Sequence, residues 1–263
     1  MTDETVTIKM DRTPHPIEID QTVKHGELAA KVRGSGVGEP MKLSEFQDSL
    51  RISGKIQVTA HEQNAESPEV GQTAPSFRAI SFDGKMVDIK GLRGKRIWLI
   101  FYRYATCPLC NLHLSEIGGR YALFKQYGLE IVAVFETAVP QFFKVGGMQS
   151  SAFPIISDTE KKLYSLYRTR RNILGVLRLS VLFKLIQAFT RGFKQRKIEG
   201  QFGQLPSHFL IDENGIIQKV HHGKTAVDHI AWSSVGLFGK IPANLLRIKS
   251  LNYLLFRWWL LLS

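Results

Sequence analysis

An apolar run, a short loop and two cysteines follow one another near the middle of the chain: Ile97-Trp98-Leu99-Ile100-Phe101-Tyr102-Arg103-Tyr104-Ala105-Thr106-Cys107-Pro108-Leu109-Cys110. The apolar run has the length and composition of a buried strand, and the residues from about Pro108 to Tyr127 have the periodicity of a helix. Cys107 and Cys110, the only cysteines in 263 residues, therefore lie where a strand passes into a helix. Two thiols at this spacing indicate either metal binding or electron exchange.

The elements around this segment alternate between strand and helix patterns. They are a hairpin from Phe77 to Ile89 that turns at Asp83-Gly84, the strand Arg96 to Tyr102, a strand at Glu130 to Phe135, a helix candidate near Gln141, a strand at Pro154 to Ile156, a helix at Thr159 to Tyr167 with Asp158 as its N-cap, and a final hairpin of His208 to Ile211 and Ile216 to His221. Asp212-Glu213-Asn214-Gly215 joins the last two strands and is typical of a hairpin turn. This order predicts an α/β fold with a central mixed sheet and helices on both faces.

Charge is unevenly distributed along the chain, whose net charge is +12. Residues 1–66 contain 8 Lys or Arg and 11 Asp or Glu, a balance of −3, which leaves 27 and 12, a balance of +15, for the remainder. Residues 168–197 contain nine basic residues and no acidic one. Such a block favours binding to anionic surfaces. No nucleic-acid-binding motif accompanies it, so we expect no nucleic acid partner.

Composition divides the chain into three parts. Polar residues 63–68 resemble a linker, so we place an N-terminal segment of unknown role at 1–66 and the main domain at 67–232. Within that domain, residues 168–201 form an insertion, whose apolar run Ile173 to Phe189 carries a polar stripe with the spacing of one helix face. The stripe consists of Ser180, Lys184, Gln187 and Arg191. Residues 233–263 form a basic, apolar C-terminal tail.

The sequence also suggests a compartment. Two cysteines are too few for a secreted disulfide scaffold, and the first residues lack the pattern of a signal peptide, so we expect a cytoplasmic location. The longest apolar stretches lie near Leu179 to Ile186 and from Leu251 to Leu262. Each is interrupted by Lys or Arg and is too short for a helix that spans a membrane. The insertion and the tail both combine basic residues with large apolar ones, and the tail contains the adjacent Trp258 and Trp259, which suggests a peripheral contact with an anionic membrane surface. Ordinary packing in the core, within the chain or in a dimer, is an equally weighted alternative.

The position of the two cysteines suggests different roles for them. Cys107, at the start of the helix, is favoured as a thiolate by free backbone N–H groups and the helix dipole, so we expect it to be the nucleophile. Cys110, one turn later, would resolve the product formed on Cys107 into an internal disulfide. Two alternatives remain: both are buried core cysteines, or both bind zinc together with histidines. The candidate histidine ligands are His113, His208, His221 and His222.

Three stretches resemble thioredoxin-fold proteins of the alkyl hydroperoxide reductase and thiol-specific antioxidant family. Residues 100–110 resemble the active-site strand and turn, residues 205–215 resemble a later strand with the proline that precedes it, and residues 70–77 with Asp83-Gly84-Lys85 resemble the start of these domains. The basic insertion is similar to that of the peroxiredoxin-like 2 branch. The resemblance covers roughly residues 69–230 and implies a peroxiredoxin-type thioredoxin fold.

The resemblance assigns roles to further residues. Pro206 would be a cis proline that lies against the dithiol and holds the backbone of a partner. Thr106, where a tryptophan often stands, would either donate to the Cys107 thiolate or form an ordinary hydrogen bond within the turn. Ile100 and Tyr104 occupy the positions of the Pro and Thr that a typical peroxiredoxin has seven and three residues before its peroxide-attacking cysteine, which favours thiol exchange over fast peroxide reduction. Arg103 could support the thiolate or bind a substrate. An arginine that alternates outward from a strand is, however, usually just solvated.

We therefore expect a thiol-dependent oxidoreductase that reduces disulfides or hydroperoxides with Cys107 and Cys110. A thiol system of the thioredoxin or glutathione type would restore the reduced pair, and no bound cofactor is required. The alternative is a protein without enzymatic activity. It would be either a metal chaperone that uses the two cysteines and a histidine, or a membrane-associated scaffold with a vestigial dithiol.

Overall fold

A computed structural model describes residues 7–8, 19–20, 56–58, 68–82, 84–138, 142, 151–176, 178–193 and 203–247. Its strands are β1 (Thr7–Ile8), β2 (Ile19–Asp20), β3 (Ile56–Val58), β4 (Phe77–Ile80), β5 (Met86–Asp88), β6 (Arg96–Phe101), β7 (Leu129–Phe135), β8 (Ile155–Ser157), β9 (Ser207–Ile211) and β10 (Ile217–His222). Its helices are α1 (Pro108–Gly118), α2 (Tyr121–Gln126), α3 (Lys162–Leu166), α4 (Leu179–Thr190), α5 (Trp232–Gly239) and α6 (Ala243–Arg247).

The central sheet has five strands in the order β10-β9-β6-β7-β8. β6, β7 and β8 run parallel to one another, whereas β9 runs antiparallel to both β6 and β10. The sheet is therefore mixed, as the sequence predicts. The turn at residues 212–215 does join an antiparallel pair, in which the Asp212 carboxylate accepts the N–H groups of Asn214 and Ile216 at 2.9 Å each.

Strand β6 lies in the middle of this sheet and supplies side chains to both of its faces. Trp98 and Ile100 point into a core shared with α1 and α5, whereas Ile97, Leu99 and Phe101 point into a second core shared with β4 and α3. This alternation follows from the two-residue period of a strand. Both cores are closed by other elements, which is why the strand reads as an unbroken apolar run.

The remaining strands form two smaller sheets. β3, β4 and β5 form a three-stranded antiparallel sheet, and β1 pairs with β2. The predicted hairpin from Phe77 to Ile89 is present as β4 and β5, although Asp83 of its turn lies outside the described residues. β3 precedes the domain boundary predicted at residue 67 and pairs with β4. The three-part division of the chain stays a prediction.

The helices differ in their bounds from the sequence prediction. The helix expected from Pro108 to Tyr127 is two helices, because the chain breaks at Gly119 and Arg120. The helix expected from Thr159 is shorter and begins at Lys162, and its N-cap residue is Lys161 rather than the predicted Asp158. The Asp158 carboxylate nevertheless accepts the N–H groups of residues 162, 163 and 164. The helix candidate near Gln141 lies outside the described residues, apart from Phe142.

The insertion and the tail are partly described. The insertion contains α4, which begins at Leu179 rather than at Ile173. Residues 233–247 of the tail form all of α5 except its first residue, and the whole of α6. Val235, Ile241 and Leu246 of this part belong to the core on the α1 face. That part of the tail packs as ordinary core, and residues 248–263, with both tail tryptophans, lie outside the described residues. No helix in the described part of the chain combines the length and the apolar character needed to span a bilayer.

Candidate active site

The dithiol lies beyond the carboxyl end of β6, where the six residues 102–107 lead into α1. Cys107 is the N-cap of α1, with an extended backbone (φ −74°, ψ 117°), and Pro108 occupies the first turn. Proline suits this position because the N–H group that it lacks would have no partner within the helix. The sulfur of Cys107 therefore lies at the helix end where the backbone N–H groups are free and the dipole is positive.

Side-chain hydrogen bonds fix the conformation of this loop. The Ala105 N–H donates to Thr137 Oγ1 at 2.7 Å, and Asn111 Nδ2 donates to the carbonyl oxygens of Ala105 and Cys107 at 2.6 and 3.0 Å. The Cys107 N–H also donates to the Tyr104 carbonyl at 3.0 Å. Loop residues and the first turn of α1 are thus tied together and to the segment that follows β7.

Arg103 provides a positive charge beside the nucleophile. Its Nη1 lies 3.9 Å from the Cys107 sulfur, and only 3% of the residue is exposed. Burial by itself raises the pKa of Cys107, but the Cys110 thiol, the Arg103 guanidinium and the N–H groups of Cys110 and Leu109 together lower it to about 6. Cys107 is therefore a thiolate near neutral pH.

Cys110 is affected in the opposite direction. Burial, its hydrogen bond to Cys107 and the charge of the Cys107 thiolate raise the pKa of Cys110 well above its ordinary value. The pair therefore carries a single negative charge near neutral pH, and that charge is on Cys107. This difference in pKa is consistent with the predicted roles of Cys107 as the nucleophile and Cys110 as the resolving thiol. Those roles stay a prediction.

Arg103 is the side chain at this site whose environment the sequence did not reveal. We expected a solvated residue because of strand alternation, but β6 ends at Phe101, so the pleat no longer sets the direction of Arg103. The guanidinium lies 5.1 Å from the centre of the Tyr104 ring. Its Nε and Nη2 atoms are buried and donate no hydrogen bond within the described structure. Two donor groups of the guanidinium therefore have no hydrogen-bond acceptor among the described residues.

A network of histidines and tryptophans lies behind α1. Trp98 Nε1 donates to His208 Nδ1 at 3.1 Å, and His208 Nε2 lies 3.1 Å from His229 Nδ1. The His229 ring stacks on His113 with 3.7 Å between ring centres, and His113 Nδ1 is 2.8 Å from the Tyr102 hydroxyl. The network connects β6, α1, β9 and the segment before α5. The sequence could not reveal it because its members come from separate parts of the chain.

The donor at one end of the network determines its tautomers. An indole N–H can only donate, so neutral His208 accepts at Nδ1 and carries its proton on Nε2. That proton is donated to His229 Nδ1, which leaves the His229 proton on Nε2, a buried atom without a hydrogen-bond partner in the described residues. Burial lowers the pKa of His113 and His208 well below the ordinary value and that of His229 to about 3. All three rings are neutral at neutral pH.

Two members of this network, His113 and His208, were candidate zinc ligands with the dithiol, together with His221 and His222. In the described residues, no three His, Cys, Asp or Glu side chains are arranged so that they could hold a metal ion. A cavity of about 220 Å³ opens beside α1, and neither cysteine lines it. Its walls include Leu109, Leu112, Lys184 and Trp232.

The model of the alkyl hydroperoxide reductase and thiol-specific antioxidant (AhpC/TSA) family matches residues 70–220, more than half of the sequence. The chain belongs to the AhpC/TSA family. The peroxiredoxin-type thioredoxin fold expected from the sequence is confirmed, since the mixed sheet and its helices agree with this membership.

Curated relatives of this AhpC/TSA protein fall into two groups. Thiol-disulfide oxidoreductase ResA of Bacillus thuringiensis is 27% identical over 173 residues, which cover 63% of this chain and 79% of the relative. The peroxiredoxin-type protein bcp of Helicobacter pylori is 24% identical over 166 residues, which cover 62% and 94%. The chain is thus a thiol-dependent oxidoreductase, as predicted.

Among solved structures, peroxidoxin BcpB from Mycobacterium tuberculosis is similar to this AhpC/TSA chain. The match has a TM-score of 0.49 and 15% sequence identity, and it covers 67% of this chain and 99% of the other.

The structure corrects one expectation for Pro206 and leaves another as a prediction. No peptide bond in the described residues is cis, so the cis proline is wrong. Pro206 instead directly precedes β9 with a trans peptide bond, and its carbonyl accepts the Gly223 N–H at 2.9 Å. Because Ser207 pairs with Phe101, Pro206 lies at the same end of the sheet as the dithiol loop. Its contact with a partner stays a prediction.

Thr106 and the two departures from the peroxiredoxin pattern are all buried. Thr106 is 5% exposed and directly precedes Cys107, and its donation to the thiolate stays a prediction. Ile100 and Tyr104 are 0% and 2% exposed. Ile100 belongs to the core on the α1 face, so its position supplies packing rather than a hydrogen-bond donor.

Proposed function

We propose that this protein reduces disulfides by exchange, with Cys107 as the nucleophile and Cys110 as the resolving thiol. The observation that carries the proposal is the placement of Cys107 at the N-terminus of α1, beside Arg103 and Cys110, where its pKa falls to about 6. A thiolate at neutral pH is the reactive form in such exchange.

The reaction takes place in two displacements. The Cys107 thiolate attacks one sulfur of a substrate disulfide, and the other substrate sulfur leaves as a thiolate and takes up a proton. Cys110 then loses its proton and attacks the Cys107 sulfur, which releases the second substrate thiol and forms the Cys107–Cys110 disulfide. The substrate gains two electrons, and the dithiol loses two.

An external dithiol, or two monothiols, must return those electrons. We propose a reductant of the thioredoxin or glutathione type, because both act by the same exchange chemistry. A reducing compartment such as the cytoplasm would supply it, and the pairing of the only two cysteines in one motif supports that location. Contact of residues 248–263 with an anionic membrane surface stays a proposal from their sequence.

Hydroperoxide reduction is the second candidate activity. The free Nε and Nη2 atoms of Arg103 favour it, since a donor beside the thiolate stabilises the oxygen that leaves when the O–O bond breaks. The product would be a Cys107 sulfenic acid, which Cys110 converts to the internal disulfide with loss of water. Without the Pro and Thr of typical peroxiredoxins, we expect this reaction to be the slower one.

Both reactions require the sulfur to become accessible. Cys107 is 1% exposed and Cys110 is 2% exposed. A partner can therefore reach Cys107 only when the loop between Tyr102 and Cys107, or a segment that covers it, moves aside.

The test is trapping of the intermediate with matched single variants. After one equivalent of an aromatic disulfide, the reduced wild type should yield the Cys107–Cys110 disulfide in mass spectra, and Cys110→Ser should retain a mixed disulfide on Cys107. Cys107→Ser should yield neither. The same series with one equivalent of cumene hydroperoxide measures the second activity. A mixed disulfide on Cys110 in the Cys107→Ser variant, formed as fast as in Cys110→Ser, would contradict the proposal.

A further inference from the structure

Helix α4 exposes a continuous apolar face. Five of its apolar side chains are between 44% and 66% exposed. They are Leu179, Leu182, Phe183, Ile186 and Phe189. In contrast, Val181 and Ala188 are buried, on the side of the helix that faces α1. Soluble monomers rarely leave so many large apolar residues together in water, so this face is a candidate docking surface.

The exposed face has a defined shape. At about 100° per residue, the five side chains cover about 120° of the helix circumference. The polar stripe of Ser180, Lys184, Gln187 and Arg191, which the sequence predicts, lies beyond one edge of this arc, and the buried stripe lies beyond the other. An apolar arc bordered by cations is the arrangement of helices that lie in the plane of a membrane interface.

Charge around the face indicates what the partner is. Arg178 precedes the helix, Lys184 lies within it and Arg191, which pairs with Glu116 of α1, follows it. No acidic residue occurs from 168 to 197, so Arg178 and Lys184 have no acidic residue near them in the insertion. A complementary partner is therefore apolar and anionic at once.

We propose that the exposed face of α4 docks on an anionic lipid bilayer. The five apolar side chains enter the boundary between headgroups and acyl chains, and the flanking cations contact lipid phosphates. This inference needs no thiol chemistry and goes beyond the proposed function. Because α4 packs on α1 and Arg191 pairs with Glu116 at 3.3 Å, docking would hold the dithiol helix close to the membrane surface.

Charge disfavours the other two occupants. The C-terminal segment is apolar enough to cover α4, but residues 229–263 contain four basic residues and no acidic one. A second copy of the chain would bring another net charge of +12 and the same basic insertion. Either occupant places like charges beside Arg178, Lys184 and Arg191, whereas anionic lipid neutralises them.

Vesicle flotation of the full-length reduced protein tests the proposal. We expect the wild type to float with vesicles of equal parts phosphatidylglycerol and phosphatidylcholine and to stay at the bottom with phosphatidylcholine alone. The Phe183→Ser/Ile186→Ser variant should lose about tenfold or more in partitioning. Val70→Ser/Met86→Ser is the matched control, because both residues are apolar and more than half exposed away from α4, and it should float like the wild type.

A second variant tests the charge and guards against misfolding of the first. Lys184→Gln/Arg178→Gln should also weaken binding, and raised salt should weaken the wild type in the same way. Circular dichroism and formation of the Cys107–Cys110 disulfide confirm the fold of every variant. Equal flotation of the Phe183→Ser/Ile186→Ser variant and the wild type overturns the proposal. Absence of vesicle binding by the wild type also overturns it. If the non-binding wild type is a dimer in light scattering and the Phe183→Ser/Ile186→Ser variant is a monomer, the face is instead a dimer interface.

Discussion

Arg103→Met should raise the pKa of Cys107 while leaving the shape of the site nearly intact. Methionine keeps an unbranched apolar stem of similar reach but removes the guanidinium 3.9 Å from the sulfur. The fold should tolerate this change well, because the cation is 3% exposed and two of its nitrogen atoms have no acceptor within the described structure. Removal of an incompletely paired buried charge often costs little stability.

The size of the effect follows from the distance. Two unit charges about 4 Å apart interact by about 4 kcal/mol at an effective dielectric constant of about 20, which corresponds to about 3 pKa units. This is an upper value, because the thiolate keeps the Cys110 thiol and the N–H groups of Leu109 and Cys110. We therefore expect a rise of about 2 units, from about 6 to about 8.

The assay must be the pH profile and not a single rate. At pH 7, a pKa of about 8 lowers the thiolate fraction about tenfold, but the more basic thiolate is intrinsically more nucleophilic by nearly the same factor. These two effects nearly cancel near neutral pH. The midpoint of iodoacetamide alkylation of Cys107 against pH, followed by mass spectrometry of the Cys107 peptide, separates them.

Arg120→Met is the control for this experiment. Arg120 lies on the same face of the sheet, with its guanidinium 4.7 Å from the Trp232 ring, and makes no contact with Cys107 among the described interactions. Its midpoint should match the wild type. If Arg103→Met also stays within about half a unit of the wild type, the thiolate does not depend on Arg103, and the electrostatic reasoning is refuted.

Two further perturbations test the support of the site. Thr137→Val removes the acceptor of the Ala105 N–H and should lower the free energy of unfolding by about 1 to 3 kcal/mol in urea titrations, whereas Thr137→Ser should recover most of it; equal losses would contradict the assigned bond. Burial holds the pKa of His229 at about 3, while an unfolded histidine titrates near 6.5, so the unfolded state alone binds a proton between these values and stability falls with falling pH. From about pH 7 to about pH 5 this residue should lower the free energy of unfolding by about 2 kcal/mol, and an unchanged pH dependence in His229→Gln would count against it.

The sequence predicts the sheet well because its signals are local. The apolar run before Cys107 identifies β6, and the turn residues 212–215 identify the β9–β10 hairpin, since both patterns depend on residues adjacent in the chain. Asp158 is identified as an acceptor for the first N–H groups of α3 for the same reason, although the N-cap residue is Lys161. The break at Gly119 and Arg120 is missed because the apolar periodicity continues across it.

The sequence predicts only those features of the site that depend on residues close together in the chain. Cys107 at a helix start implies a lowered pKa without any knowledge of the fold. The burial of Arg103 depends on where β6 stops pairing, and the contact of His113 with His229 joins residues 116 positions apart. No periodicity encodes such distances, so neither feature could be derived from the chain alone.

The double role of β6 places a constraint on how this sequence can evolve. Trp98 and Ile100 belong to one core and Ile97 and Leu99 to the other, so substitution by another apolar residue changes a single layer. Insertion or deletion of one residue within β6 would exchange the two sets, and a change of length between Arg103 and Cys107 would displace the sulfur relative to the guanidinium. The lineage can therefore vary the identity of residues in this segment much more freely than their number, and the spacing from Arg96 to Cys107 should be the most strictly inherited length in the domain.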